Sequence, residues 1–443
     1  MSTVSQRYIV QPGQSVSGVI TVPGDKSISH RAVMLGSIAD GETRVHGFLE
    51  SEDCLATLAA CKAMGVEVAA SADGSLVIRG AGRDGLHAAA GALDLGNSGT
   101  GLRLLMGLLA GQSFDSVLTG DASLRRRPME RVAAPLRAMG ARIATEQGGA
   151  PVRISGGARL HGIDYRLPVA SAQIKSALLL AALGADGRTT LESPGPSRDH
   201  TERMLRAMGA AVETDEARHR VSLNGPCRLT GGRIDVPGDL SSAAFFIVAG
   251  CIGARDSIEI RNVGVNPTRT GILDALAAMG ARIELRNQRL QAAEPVADIL
   301  VHRSALKGIV IPPELVPLAI DELPVLFVAA AFADGQTTVT AAEELRHKES
   351  DRIHVMAQAL SAVGIGVRER PDGMTIDGGT VSGGTIDTAG DHRIAMAFAV
   401  AALGSTGPIT IIDTAPVSTS FPGFVGTAAS AGLELAVAGS ESA

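Results

Sequence analysis

The stretch Pro23-Gly24-Asp25-Lys26-Ser27-Ile28-Ser29-His30-Arg31 places two cations and two hydroxyls where a β-type run (residues 18–22) gives way to an apolar helix-type run (residues 32–35). Asp25 or Ser27 can cap the helix start, whose first N–H groups have no intrahelical partner. Lys26 and Arg31 add positive charge to the positive end of the helix dipole. Such an arrangement can seat an anion. An ordinary capped helix with solvated charges would look the same, and this stretch alone does not separate the two.

Other clusters have the same character. Gly96-Asn97-Ser98-Gly99-Thr100-Gly101 is a turn whose N–H groups can hold an oxyanion, and no Gly-Lys-Ser/Thr ending makes it a nucleotide loop. Ser171-Ala172-Gln173-Ile174-Lys175 offers a cap and an amide donor. Asp321 and Glu322 head an otherwise apolar run, as helix caps or as a general base. Asp391-His392-Arg393 stands before another apolar run. Between these lie Arg125-Arg126-Arg127-Pro128, Arg198-Asp199-His200-Thr201-Glu202 and the mixed stretch 344–352. The last reads equally well as an ion-paired helix face.

The elements that must position these residues repeat. An amphipathic helix ending in Ala-Met-Gly-Ala or a variant closes at Gly65, Gly140, Gly209, Gly280, Gly364 and Gly432. A glycine just past a helix supplies its left-handed cap. The polar clusters, starting at Gly24, Gly96, Ala170, Gly238, Asp321 and Gly390, each precede one of these glycines and lead into an apolar helix. Strand-like segments at 43–46, 189–192, 257–260 and 337–340 lie between. Each copy therefore reads strand, buried helix, strand, amphipathic helix, strand, strand. Ile20-Thr-Val-Pro-Gly-Asp25 recurs as Ile234-Asp-Val-Pro-Gly-Asp239. Two halves of three copies follow, 22–237 and 238–443 with 1–21. The expected class is α/β, with helix starts of both halves facing an interdomain cleft. Repeat units of this length exceed those of solenoids.

The 443 residues suffice for a large core. With 2% aromatics and no Trp, that core is expected from Ala, Val, Ile, Leu and Met. A net charge of −6 gives no electrostatic case for nucleic acid or an anionic membrane. Cys54, Cys61, Cys227 and Cys251 form no CxxC pair, and the first two share a helical face as core residues would. No signal peptide shows in residues 1–10, and no apolar run approaches the roughly 20 residues that span a bilayer. The expectation is a cytoplasmic monomer without metal or other cofactor.

Six phrases, in order along nearly the whole chain, closely resemble the 5-enolpyruvylshikimate-3-phosphate synthases. They are Pro-Gly-Asp-Lys-Ser-Ile-Ser-His-Arg (23–31), Gly-Asn-Ser-Gly-Thr (96–100), Arg-Arg-Pro-Met (126–129), Ser-Ala-Gln-Ile-Lys (171–175), Lys-Glu-Ser-Asp-Arg (348–352) and Asp-His-Arg-Ile-Ala-Met (391–396). Gly-Asp-Lys-Ser (24–27), Ser-Ala-Gln-Ile-Lys, Arg-Asp-His-Thr-Glu (198–202) and Asn-Pro-Thr-Arg (266–269) resemble the class II bacterial type. The resemblance implies two inside-out α/β domains of three βαβαββ units each, the enolpyruvyl transferase fold. It implies transfer of enolpyruvyl from phosphoenolpyruvate to the 5-hydroxyl of shikimate-3-phosphate, with release of phosphate, in chorismate and aromatic amino-acid biosynthesis. It assigns Lys26, Gly99, Arg127, Gln173, Arg352 and Arg393 to phosphoenolpyruvate. To shikimate-3-phosphate it assigns Lys26, Ser27, Arg31, Ser171, Ala172, Gln173, Arg198, Asp321 and Lys348. Asp321 would take the hydroxyl proton, and Glu349 with Lys26 would serve protonation at carbon.

The chain departs from class I at Ala172, where a second Ser stands, and at 418–422, which lacks a Lys. Glyphosate is the implied inhibitor. Glyphosate-tolerant class II enzymes carry Ala at the place of Gly99, so greater sensitivity is expected here. UDP-N-acetylglucosamine enolpyruvyl transferase shares the fold but uses a Lys-Asn pair and a loop Cys. Ser27 follows Lys26, and residues 111–135 hold no Cys. RNA 3′-phosphate cyclase would need a nucleophilic His and ATP binding, and a non-catalytic repeat scaffold would show no synergy between substrates.

Overall fold

The computed structural model describes residues 6–439. Residues 1–5, part of the stretch read for a signal peptide, and 440–443 of the second expected half lie outside that span. The chain falls into two compact units. One comprises Gly24–Val236 with Gln291–Glu294, and the other the chain up to Pro23, Pro237–Leu290 and the chain from Pro295 onward.

Helices alternate between two kinds. The inner ones are α1 (Lys26–Ile38), α3 (Gly99–Leu109), α5 (Ala172–Ala182), α7 (Leu240–Gly253), α9 (Leu323–Ala331) and α11 (His392–Ala401). The outer ones are α2 (Glu52–Ala63), α4 (Glu130–Ala138), α6 (His200–Ala207), α8 (Gly271–Ala278), α10 (Arg352–Ala362) and α12 (Phe424–Ala431). Inner helices are buried over nearly every turn, as residues 240–251 of α7 illustrate. All six repeat glycines take positive φ, from +85° at Gly364 to +103° at Gly140, and end the outer helices as the spacing predicts.

Each inner–outer pair belongs to a small mixed sheet. Asp164–Arg166, Gly187–Glu192, Arg220–Gly225 and Val212–Asp215 are neighbours in that order, the first pair parallel and the rest antiparallel. Two sheets borrow their parallel strand. Val16–Thr21 runs into α1 along the chain yet pairs with Ala254–Gly264, Ile20 opposite Ile260. Arg233–Asp235 runs into α7 yet pairs with Asp40–His46, Ile234 opposite Val45. The repeated Ile20 and Ile234 phrases therefore mark the places where the chain changes units. Arg7–Val10 completes the sixth sheet, between Ile409–Ile412 and Leu435–Ala438. The fifth sheet has three strands, its leading strand reduced to the bridges Lys307–Asp334 and Val310–Thr338.

Each unit has its own hydrophobic core. The expectation of an aliphatic core holds for the unit of α1, α3 and α5. In the other, Phe245, Phe246, Phe421, Phe424 and Tyr8 pack with ring centroids 5.5–6.5 Å apart. Few as rings are in the chain, these five bury a large area together.

Inner helices also pack backbone to backbone. A Cβ at Gly107 of α3 would stand 2.0 Å from the carbonyl oxygen of Ala177 on α5. Gly107→Ala is expected to lower unfolding free energy by about 2 kcal/mol, the penalty of an overfilled core. Gly91→Ala, which meets nothing within 4 Å, should change it by less than about 0.5 kcal/mol. Urea titration of both variants checks this.

Candidate active site

In the unit of residues 24–236, side-chain bonds stitch the heads of α1, α3 and α5 together. Asp25 caps α1 through the Ile28 N–H at 2.9 Å, Ser98 caps α3 through Gly101, and Ser171 caps α5 through Ile174. His30 of α1 lies 2.8 Å from Thr57 Oγ1 and 3.4 Å from Ser98 Oγ. Gln173 donates to Thr100 Oγ1 at 3.0 Å and accepts from Arg103 Nη1 at 2.7 Å. Arg31 donates to Thr201 Oγ1 at 2.6 Å, to Ser176 Oγ at 2.8 Å and to the Ser27 carbonyl at 2.9 Å. Lys26, Ser27, Gly99, Ser171, Ala172 and Gln173 consequently share one end of this unit.

Cations collect at that end. The Lys26 ammonium pairs with Asp53 of α2. Arg127 is buried and donates to Asn97 Oδ1 at 2.5 Å and to the Asn97 carbonyl at 3.3 Å. A Cβ on Gly99 would stand 3.2 Å from Nη1 of both Arg127 and Arg103. Arg198, half-buried, is close enough to Arg31 to act on it electrostatically. Burial pulls Arg31 down to about 10, which leaves it charged near neutrality. Behind it Lys175 pairs with Glu202 at 2.6 Å and donates to the Ser197 carbonyl at 3.3 Å, fixing the segment that carries Arg198.

The second cluster lies in the other unit, at the heads of α9, α10 and α11. Asp321 Oδ1 is 3.3 Å from Lys348 Nζ and 3.6 Å from Arg352 Nη1. Arg352, only 1% exposed, donates to Asp391 Oδ2 at 2.8 Å and to Glu349 Oε2 at 2.5 Å. Arg393 Nη1 donates to the Asp321 carbonyl at 2.9 Å. Burial alone would make Arg352 easier to deprotonate. Asp391, Glu349 and Asp321 overcome that and hold it above its ordinary range. Burial pushes Asp391 up, but Arg352 outweighs it, so the carboxyl stays below the usual range. One guanidinium thus fixes three carboxylates.

Two expectations change. Residues 344–352 form no continuous ion-paired helix face. Glu343–His347 is a short 3-10 turn, α10 starts at Arg352, and Lys348 and Glu349 lie on the link between. Asp351 caps α10 and pairs with Arg346 of the 3-10 turn, so it links the two segments. Neither Asp321 nor Glu322 caps α9 with its side chain. Sequence reasoning also passed over Asp53, Arg103 and the Glu322 partners Ser241 and Arg269. A lone Arg within the apolar run 102–109 was a usable signal for Arg103, because an unpaired cation is rarely buried. Asp53 gave none, since acids in a first helical turn are common.

The chain is similar to an EPSP synthase structure from Acinetobacter baumannii, with a TM-score of 0.87 at 51% identity over 98% of this chain and 100% of that one. The fold is that of the enolpyruvyl transferases. A family model described as EPSP synthase (3-phosphoshikimate 1-carboxyvinyltransferase) matches residues 10–427. Proteins named 3-phosphoshikimate 1-carboxyvinyltransferase from Methylococcus capsulatus and Alkalilimnicola ehrlichii are 57% and 58% identical, each over 97% of this chain and covering 98% and 96% of theirs. The chain belongs to the EPSP synthase family, and its class is transferase.

His30 connects the site to stability. Burial first, then Lys26 and Arg31, press its pKa well below 6.5, while Asp25 works weakly the other way. The unfolded chain therefore takes up this proton first as pH falls. The contribution is whole above about pH 6.5 and drains below it, by at most about 1.4 kcal/mol per pH unit. Urea midpoints at pH 7.5 and 5.5 should differ less in His30→Gln than in the unaltered protein.

Proposed function

We propose that the protein transfers the enolpyruvyl group of phosphoenolpyruvate to the 5-hydroxyl of shikimate-3-phosphate and releases phosphate. The grouping of Asp321, Lys348, Glu349, Arg352 and Arg393 at three helix heads is the observation that carries this reading. The hydroxyl oxygen bonds to C2 of phosphoenolpyruvate while C3 gains a proton. C3 then loses a proton, the enol double bond re-forms and the C2–O bond to phosphate breaks. Asp321 takes the hydroxyl proton, and Glu349 with Lys26 serves the proton moves at C3. Lys26, Gly99, Arg127, Gln173, Arg352 and Arg393 hold phosphoenolpyruvate, where guanidinium forks suit carboxylate and phosphate. Lys26, Ser27, Arg31, Ser171, Ala172, Gln173, Arg198, Asp321 and Lys348 hold shikimate-3-phosphate, and Arg31 also donates to the Ser27 carbonyl. Both clusters serve this one reaction, in a cytoplasmic monomer. Four free thiols support the compartment.

The UDP-N-acetylglucosamine reading is disfavoured by a specific observation. Cys54, whose Sγ lies 3.8 Å from the Lys26 carbonyl, is pushed up to about 12 by burial and is no nucleophile at neutral pH. Phosphate release should require both named substrates, and calorimetry should show tighter phosphoenolpyruvate binding when shikimate-3-phosphate is present. Lys26→Met should reduce turnover on the order of a thousand-fold with unchanged circular dichroism. Turnover with UDP-N-acetylglucosamine, or the absence of phosphate release from the unaltered protein, would overturn the assignment.

Glyphosate is the inhibitor proposed for the phosphoenolpyruvate site. A methyl at Gly99 presses on the Arg127 and Arg103 tips, 3.2 Å away. Gly99→Ala should raise the half-inhibitory glyphosate concentration about ten-fold or more, the usual reach of one methyl in a tight pocket. An inhibition curve unmoved by the substitution would remove Gly99 from the site.

A further inference from the structure

One buried cluster remains outside the scheme above. Glu322, the neighbour of Asp321, takes entirely different partners. Its side chain is 0% exposed. Its Oε1 accepts from Ser241 Oγ and lies 3.5 Å from Arg269 Nη2, while its Oε2 is buried without a hydrogen bond. Arg269 Nη2 also donates to Ser241 Oγ at 2.7 Å and to Asp239 Oδ1 at 3.1 Å. Asp239 is the cap of α7, accepting from the Ser241 N–H at 2.9 Å. Four side chains therefore tie the head of α7 to the head of α9.

The head of α9 needs such a tie. Alone among the six inner helices it has no side-chain cap, and Pro324 in its first turn offers no N–H to hold. A buried carboxylate with one oxygen unpaired is destabilising, and an apolar side chain would pack the same space at less penalty. What the carboxylate adds is direction. A bond to Ser241 and a charge contact to Arg269 fix where residue 322 stands. The peptide before it is fixed as well, with the Asp321 carbonyl under Arg393 and its carboxylate against Lys348 and Arg352.

We propose that Glu322, held by Ser241 and Arg269, is a positioning residue that sets the Asp321 carboxylate for proton transfer. This rests on the reading of Asp321 as the group that takes the hydroxyl proton. Glu322 does not touch substrate. Its loss lowers the rate of the chemical step and leaves substrate affinity nearly intact, because Lys348 and the arginines stay in place.

The test is steady-state kinetics, pH profiles and thermal unfolding on Glu322→Gln, Ser241→Ala, Asp321→Asn and the Asp321→Asn/Glu322→Gln double variant. Glu322→Gln should lower kcat on the order of ten-fold, with KM for both substrates within about two-fold, as expected for a small displacement of a reacting group. The limb of the kcat–pH profile that disappears in Asp321→Asn should shift in Glu322→Gln. Ser241→Ala should move kcat and that limb the same way by a smaller factor, and it serves if Glu322→Gln does not fold. In the Asp321→Asn background Glu322→Gln should change kcat by less than about two-fold, since a positioning effect vanishes with the group positioned. An unchanged kcat in the folded variants overturns the proposal, as does a full further loss in the double variant. Wild-type kcat in Asp321→Asn is a separate result: it removes Asp321 as the proton acceptor, and the proposal falls with it.

Discussion

A helix buried on every side can be reached only at its ends. The six inner helices are buried over nearly their whole length, so a site can open only toward their first turns. Their first turns carry N–H groups that need partners, together with the positive end of the helix dipole. Polar side chains must gather there to satisfy these groups, and once gathered they bind one another. Chemistry at the helix heads follows from how the core is filled.

The two units answer this requirement with different charge patterns. At the heads of α1, α3 and α5, cations crowd together: Lys26, Arg31, Arg103, Arg127 and Lys175, with Asp53 and Glu202 as the acids paired to lysines. At the heads of α9, α10 and α11, three carboxylates surround Arg352. Buried ion pairs contribute little net stability, because desolvation offsets their attraction. They do hold geometry, since each member left alone would be an unpaired buried charge. The first pattern suits the grip of anionic groups, and the second adds carboxylates that can move protons beside further cations.

Connectivity reinforces this arrangement. Val16–Thr21 and Arg233–Asp235 each end in the sheet of one unit, and the chain passes directly from them into α1 and α7 of the other. The Asp239 N–H donates to the Pro23 carbonyl at 2.9 Å, so the head of α7 is tied to one crossing. Lys26 and Asp239 therefore stand within a few residues of the points where the chain changes units.

Much of this was legible in the sequence for a physical reason. Repeats make periodicity visible, and the glycines that end the outer helices need positive φ, which few other residues accept. The cations Lys26 and Arg393 showed because they stand at helix starts just after a glycine and an aspartate. Pairing was not legible. Nothing in residues 52–53 marks Asp53 as the partner of Lys26, and nothing in residues 321–322 says that two adjacent carboxylates have separate partners. Spacing along one element tells which residues share its face, whereas Glu322, Ser241 and Arg269 come from three elements distant along the chain. The repeat, the inner and outer helices and the residue types at their heads are local consequences of periodicity and turn chemistry, and so could be read along the chain. Which acid meets which base emerges with folding alone, because buried charges find partners through packing across long separations.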